Sequence, residues 1–295
     1  MILVAFPEMM PLAERLAPAL GAEPRVLDWH RFPDGESLVS LPGDLEGADV
    51  ALLATLRDPD RLALPLRFTA ATAREMHARR VGLIAPYLGY MRQDRRFEAG
   101  QAVSAPLFAQ FLGESFDWLV TVDPHLHRIA RLQDVFPMPA MRAVSAPLLA
   151  TWISTNLPDA VLLGPDSESQ QWVAEVARLA GRPYEVLRKV RSGDRSVDVS
   201  VPESAALREG TPVILDDIAS SGSTMARAVE RLLAAGTAAP VCLVIHAVFA
   251  DGAQDTIMSA GAAGIISTDT IPHSTNVIGI ADILSETTLS VLKEP

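Results

Sequence analysis

The chain holds a single cysteine in 295 residues, and that scarcity excludes a disulfide framework. Cys242 stands in the apolar run PVCLVIHAVF, where a thiol reads as buried and inert rather than nucleophilic. Positive charge is also short. Lys and Arg number 25 against 36 Asp and Glu, a formal net charge of −11. Sequence-independent nucleic-acid binding runs on phosphate neutralisation, so no nucleic-acid partner is expected. An anionic ligand must instead be held by a local cationic cluster or by backbone N–H groups. No apolar run approaches the roughly 20 residues that span a bilayer, so no membrane partner is expected either. The start, MILVAFPEMM, has neither a basic leading region nor a small-residue cleavage site, and does not read as a signal peptide. These absences together predict a cytoplasmic protein.

What is present is apolar substance in short pieces. Hydrophobic residues make up 49% of the chain, and 295 residues are long for one core and comfortable for two domains. Strands are predicted at 1–6, 49–55, 81–87, 118–123, 160–166, 212–217, 240–249 and 262–268. Helices are predicted between them, at 10–20, 61–78, 105–112, 167–180, 225–235 and 251–259. Val-, Ile- and Leu-rich strands alternating with helices imply an α/β fold with parallel sheets buried on both faces. The run FPMPAMRAVS (136–145) carries two prolines and is the expected boundary, giving domains 1–141 and 142–295. The pieces LIAP and LLGP both close a strand, a hint that the halves are copies of one unit.

One segment asks for chemistry. PVILDDIASSGSTMARAV (212–229) runs from a strand through Asp216 and Asp217 into the small residues Ser220, Ser221, Gly222, Ser223 and Thr224, and then into a helix. Small side chains let successive N–H groups point into one concavity, and the helix behind adds its positive end. Paired carboxylates suit the vicinal hydroxyls of a ribose. No Gly-Lys-[Ser/Thr] follows, so this is not a Walker loop. Two readings stand on these residues alone: a ribose-phosphate grip, or a Ser-rich helix cap with two solvated acids.

The segment resembles the phosphoribosyl-diphosphate loop shared by type I phosphoribosyltransferases and ribose-phosphate diphosphokinases (PRPP synthetases). Further motifs select the second family, in its archaeal-like branch. FPDGE (32–36) resembles that family's segment reaching a neighbouring subunit's ATP site. PYLGYMRQDRRFEAGQAVSA (86–105) resembles its ATP-binding stretch. TVDPHLH (121–127) and GPDSES (164–169) resemble its metal-linked segments, and RKVRSGD (188–194) its mobile catalytic loop. Six motifs in the family's order span almost the whole chain. Departures are Gln101 for a usual Glu, Pro124 inside the Asp-x-His segment, Ser167-Glu168-Ser169 for small residues, and Ser223 for a second loop Gly. Ser220 stands where the bacterial type has Asp, and AFPEMM lacks the small polar turn usual after the first strand.

The resemblance implies two tandem type I phosphoribosyltransferase-like domains and a defined reaction. The diphosphoryl group of ATP passes to the C1 hydroxyl of ribose 5-phosphate, giving PRPP and AMP with Mg²⁺ as cofactor. It also implies roles. Phe32, Asp34, Glu36, Arg92, Gln93, Asp94 and Arg96 bind ATP. Lys189 and Arg191 are the catalytic pair. Asp216 and Asp217 hold the ribose hydroxyls, and Ser220, Ser221, Gly222, Ser223 and Thr224 the 5-phosphate. His125 and Asp166 lie at the metal. A tight turn is the competing reading for Asp34, and His127 reads as structural. A homo-oligomer is implied, because FPDGE serves a neighbour. The alternatives are a non-catalytic nucleotide-binding homologue, or a diphosphokinase with another sugar-phosphate acceptor, which Glu168 keeps open.

Overall fold

The structure, a computed structural model, describes residues 1–126, 128–129, 131–166, 169–192, 196–202 and 204–294, and of 188–192 and 196–200 the backbone alone. Two compact units emerge: Met1–Val144 with Ala281–Pro295, and Ser145–Ile280.

The first unit is built from β1 (Ile2–Ala5), α1 (Met10–Leu20), β2 (Glu23–Val26), β3 (Asp28–Arg31), β4 (Ser37–Ser40), β5 (Asp49–Leu53), α2 (Pro59–Glu75), β6 (Arg80–Ala85), α3 (Ser104–Gly113), β7 (Trp118–Val122) and β8 (Ala140–Ala143). Its sheet has the order β2-β1-β5-β6-β7-β8, all parallel, while β3 and β4 form a separate antiparallel hairpin. The central strands are buried along their length, as ILVA and WLVTV require of strands covered on both faces.

The second unit follows with α4 (Ala146–Asn156), β9 (Ala160–Gly164), α5 (Gln170–Ala180), β10 (Tyr184–Val186), β11 (Arg188–Ser192), β12 (Ser196–Ser200), α6 (Ala205–Glu209), β13 (Thr211–Ile218), α7 (Ser223–Ala234), β14 (Val241–His246), α8 (Ala253–Ser259), β15 (Gly264–Thr268) and β16 (Asn276–Ile278). Its sheet has the order β10-β9-β13-β14-β15-β16, again parallel, with β11 and β12 as a separate antiparallel hairpin. The last helix, α9 (Ala281–Val291), belongs to the first unit, where it packs on α1, β7 and β8. It was expected in a second domain running to 295. Its buried Leu284, Thr288 and Val291 face the first unit instead.

The units are copies in topology. Each runs strand, helix, edge strand, hairpin, strand, helix, and then three more strands with a helix after the first of them, the second unit adding α4 before its first strand and α6 after its hairpin. The copies agree in local detail. Both α1 and α5 have 11 residues and end on a left-handed glycine, Gly21 at φ +55° and Gly181 at φ +64°. After each, a backbone N–H reaches back in the same way: Ala22 to the carbonyl of Ala17, Arg182 to that of Ala177. The sequence hint had the right idea on the wrong pieces. LIAP lies at the end of β6, the fourth strand of its sheet, and LLGP at the end of β9, the first strand of its unit.

Every core strand predicted from apolar runs is present, within a few residues. The strands not anticipated are β2, β3, β4, β8, β10, β11, β12 and β16, all short and at sheet edges or in hairpins. Among the described residues, no helix is long and apolar enough to cross a membrane.

Candidate active site

The carboxyl ends of parallel strands are where an open α/β sheet gathers ligands, and β13 is the strand that matters in the second unit. It runs through both acids to Ile218, so pleating sends Asp216 and Asp217 to opposite faces. Both are half-buried, and the N–H of Asp217 donates to the Asp216 carboxylate at 3.0 Å. Burial pushes the Asp216 carboxyl well above the usual range, and the charges of Asp217 and then Asp166 push it further. Three acids from β13 and the end of β9 therefore share one electrostatic neighbourhood.

Beyond Ile218 the chain turns tightly. Gly222 sits at φ +75° and opens α7, which starts at Ser223 rather than at the expected Met225. A Cβ on Gly222 would lie 2.8 Å from the carbonyl oxygen of Ala253 and 3.1 Å from Ile257, so both space and backbone angle demand glycine. Ser223, in contrast, begins the helix and is not among the positive-φ residues, so its backbone does not demand glycine. Its N–H donates to Ser221 Oγ at 3.4 Å. Ser221, Ser223 and Thr224 are exposed around the free N–H groups of the first turn of α7. The loop is laced to the segment after β14. Ala219 donates to the carbonyl of His246, Phe249 to that of Ala219, and Ala250 to that of Ser220, at 3.2, 2.9 and 2.9 Å.

Asp166 follows β9 and is half-buried. Its carboxylate accepts from the N–H of Ser169 at 3.3 Å and its carbonyl from Ser169 Oγ at 2.7 Å, so it also shapes the entry to α5. Lys189 and Arg191 fall on β11, in register with Val199 and Val197 of β12. Their side chains, like those of Arg188 and Arg195, lie outside the described residues, as do Ser167, Glu168 and His127.

In the first unit, Phe32, Asp34 and Glu36 form the exposed tip of the β3–β4 hairpin. The Asp34 carboxylate accepts from the N–H of Glu36 at 3.1 Å, with Gly35 at φ +94°, so Asp34 shapes a tight turn at the hairpin tip. Phe32 packs edge-on against His30 at 4.5 Å between ring centres, and remains 40% exposed.

The stretch 86–105 leaves β6 and enters α3. Arg92 is exposed. Gln93 accepts from Ser104 Oγ at 2.5 Å. Asp94, whose side chain is only 2% exposed, pairs with Arg128 at 3.0 Å and is committed to holding the loop. Arg96 donates through Nε to the carbonyl of Gln101 at 2.8 Å. Gln101, unexpected in the sequence, earns its place as an acceptor: its side-chain oxygen takes the N–H groups of Phe97 and Glu98 at 3.3 and 3.1 Å.

After β7, Asp123 is buried at φ +30°, a strained angle for a non-glycine, and Arg142 pairs with it at 3.6 Å. Sequence reasoning placed Asp123 in the Asp-x-His segment with His125 but gave it no role of its own. His125 is half-buried and belongs to the first unit, Asp166 to the second. Among the described residues, no three His, Cys, Asp or Glu side chains converge as a metal cage.

Comparison with known proteins accounts for both halves. Residues 1–115 match the N-terminal domain of ribose phosphate pyrophosphokinase, and residues 134–281 match the phosphoribosyl transferase domain. The ribose-phosphate pyrophosphokinase of Methanopyrus kandleri is 33% identical, over 97% of this chain and 98% of its own. That of Sulfolobus acidocaldarius is 32% identical, over 92% of this chain and 93% of its own. The crystal structure of phosphoribosylpyrophosphate synthetase from Mycobacterium smegmatis superposes with a TM-score of 0.84 at 25% identity, over 100% of this chain and 99% of that one.

Proposed function

This chain belongs to the ribose-phosphate pyrophosphokinase family, and from that premise we propose that its substrates are ATP and ribose 5-phosphate and its products PRPP and AMP. The observation that carries the reading is the end of β13. Two acids lead directly into a loop whose glycine is imposed by the carbonyl of Ala253, and the loop opens a helix with hydroxyl side chains around its free N–H groups.

Asp216 and Asp217 accept hydrogen bonds from the ribose hydroxyls. Such bonds compensate carboxylates that folding has removed from water. Ser220 to Thr224 receive the 5-phosphate on backbone N–H groups and hydroxyls, which suits a chain with so little positive charge. Phe32, Asp34, Glu36, Arg92, Gln93, Asp94 and Arg96 belong to the ATP side, with Asp94 acting through its hold on Arg128. The C1 hydroxyl attacks the β-phosphorus of ATP, AMP leaves, and Lys189 and Arg191 stabilise charge on the diphosphoryl group in transit. Phosphoryl transfer of this kind rests on positioning and charge stabilisation.

The residues suit Mg²⁺ held in its usual style, by one or two carboxylates plus waters and substrate phosphates rather than by a protein cage. The high local density of carboxylate around Asp216 fits that style. Asp166 would supply the oxygen donor, and His125 would sit better chemically on water or phosphate than on the metal itself. The ion would neutralise charge on the transferring group. We further assign the protein to the cytoplasm, and we assign it a homo-oligomeric state because the FPDGE hairpin tip is exposed in its own chain.

The experiment is direct: ATP, Mg²⁺ and ribose 5-phosphate are incubated with the protein and AMP is measured. Formation of AMP that depends on ribose 5-phosphate supports the reading, and ADP as the product contradicts it.

A further inference from the structure

The ends of β14 and β15 carry a buried polar cluster that none of the roles above uses. His246, Thr268 and Thr270 are 1%, 0% and 0% exposed. His246 Nδ1 and Thr270 Oγ1 lie 3.0 Å apart. Thr270 Oγ1 and Thr268 Oγ1 both donate to the carbonyl of Ile245, at 3.1 and 2.7 Å, and the N–H of Thr270 donates to Thr268 Oγ1 at 3.4 Å. Buried polar atoms are in the large majority paired, and here the pairing fixes the members of the cluster to one another.

What it fixes is the last residue of β14. His246 lies beside Ile218 in the β13–β14 register, and its carbonyl accepts the N–H of Ala219, the residue before the phosphate loop. Three and four residues on, the N–H groups of Phe249 and Ala250 donate to the carbonyls of Ala219 and Ser220. The loop's entry therefore has its backbone partners on the segment that His246 begins. We infer that His246 and Thr270 are positioning residues for the ribose 5-phosphate loop, holding the end of β14 against which Ala219 and Ser220 are aligned. The inference rests on the assignment of residues 220–224 to the 5-phosphate.

A phosphate held far from the reacting C1 contributes binding to ground state and transition state alike. Misaligning its loop raises KM for that substrate and spares kcat. Thr270→Val keeps shape and removes the hydroxyl, leaving His246 Nδ1 without that partner. Steady-state kinetics of the full-length protein should show KM for ribose 5-phosphate raised about tenfold, with KM for ATP and kcat within about twofold. Thr270→Ser, which restores the hydroxyl, should return KM to near the starting value. Should Thr270→Val fail to fold, Thr270→Ala takes its place against the same Ser rescue.

Equal rises in both KM values, a fall in kcat alone, or no rescue by Ser overturns the inference. Thr224→Val, within the loop itself, separates the two layers. If it raises KM for ribose 5-phosphate and the Thr270 variants do not, the positioning role falls and the loop assignment stands. If neither changes KM, the loop assignment falls as well.

Discussion

Gly222 and Ala253 meet so closely that a side chain on the first needs the second to shift: a Cβ on Gly222 would stand 2.8 Å from the Ala253 carbonyl oxygen. The contact is backbone, so no side chain can swing aside. The left-handed angle of +75° adds about 1–2 kcal/mol for any L side chain. Gly222→Ala should therefore lower the melting temperature and raise KM for ribose 5-phosphate by at least about tenfold. Thermal melting and steady-state kinetics check it, and a variant with unchanged KM would remove the loop from the acceptor site.

Asp216 offers a pH test. Its folded carboxyl titrates well above the ordinary value of 3.8, because burial and then Asp217 disfavour the charge. Through the window from that value upward, the folded protein holds a proton that the unfolded chain has released. The contribution of Asp216 is thus full below the ordinary value and is lost as pH rises through the folded one. Asp216→Asn should raise the melting temperature of the ligand-free protein more at pH 7.5 than at pH 4, while turnover falls. A stability gain that is the same at both pH values contradicts this electrostatic picture.

The chain has only two lysines, Lys189 and Lys293. Amine-directed reductive methylation therefore reports on very few groups. Lys189→Ala should lower kcat by about a hundredfold or more and change ATP affinity little, because its charge acts on the group in transit. Lys293→Ala should match the parent. Fluorescent-nucleotide titration beside turnover separates the two effects, and near-normal kcat in Lys189→Ala would withdraw the catalytic assignment.

Cys242 lies buried in β14, and burial pushes its thiol up to about 12. A thiolate-directed reagent at pH 8 should leave the native protein unlabelled and label one thiol per chain in denaturant. Native labelling would mean that β14 opens far more readily than its buried strand suggests.

The readable parts of the sequence were those governed by burial. Strands such as ILVA and WLVTV sit inside two covering layers, so composition alone marked them. Edge strands carry mixed burial. SLVS in β4 alternates half-buried and exposed, and its short length left too little periodicity to see. Helices α4 and α9 were missed because Ser and Thr interrupt their apolar stripes, while the hydroxyls satisfy themselves on carbonyls one turn back, as Thr151 and Thr287 do. That α9 returns to the first unit is a long-range fact with no local signature.

The site divides in the same way. The turn at 220–224 was legible because small residues after a strand admit a tight, left-handed entry into a helix. Asp94 was read as a nucleotide ligand by its position in a motif, whereas its near-complete burial against Arg128 is a three-dimensional property. Gln101 remains a departure from the usual Glu, and its part in the loop, one oxygen holding two N–H groups, is likewise three-dimensional.

The central claim is tested most directly by ³¹P NMR of the protein with ATP, Mg²⁺ and ribose 5-phosphate. The expected spectrum gains AMP and a diphosphate attached at C1 of the ribose phosphate in equal amounts, and gains neither when ribose 5-phosphate is omitted. AMP no higher than in that control, or ADP in place of AMP, would contradict diphosphoryl transfer to this acceptor.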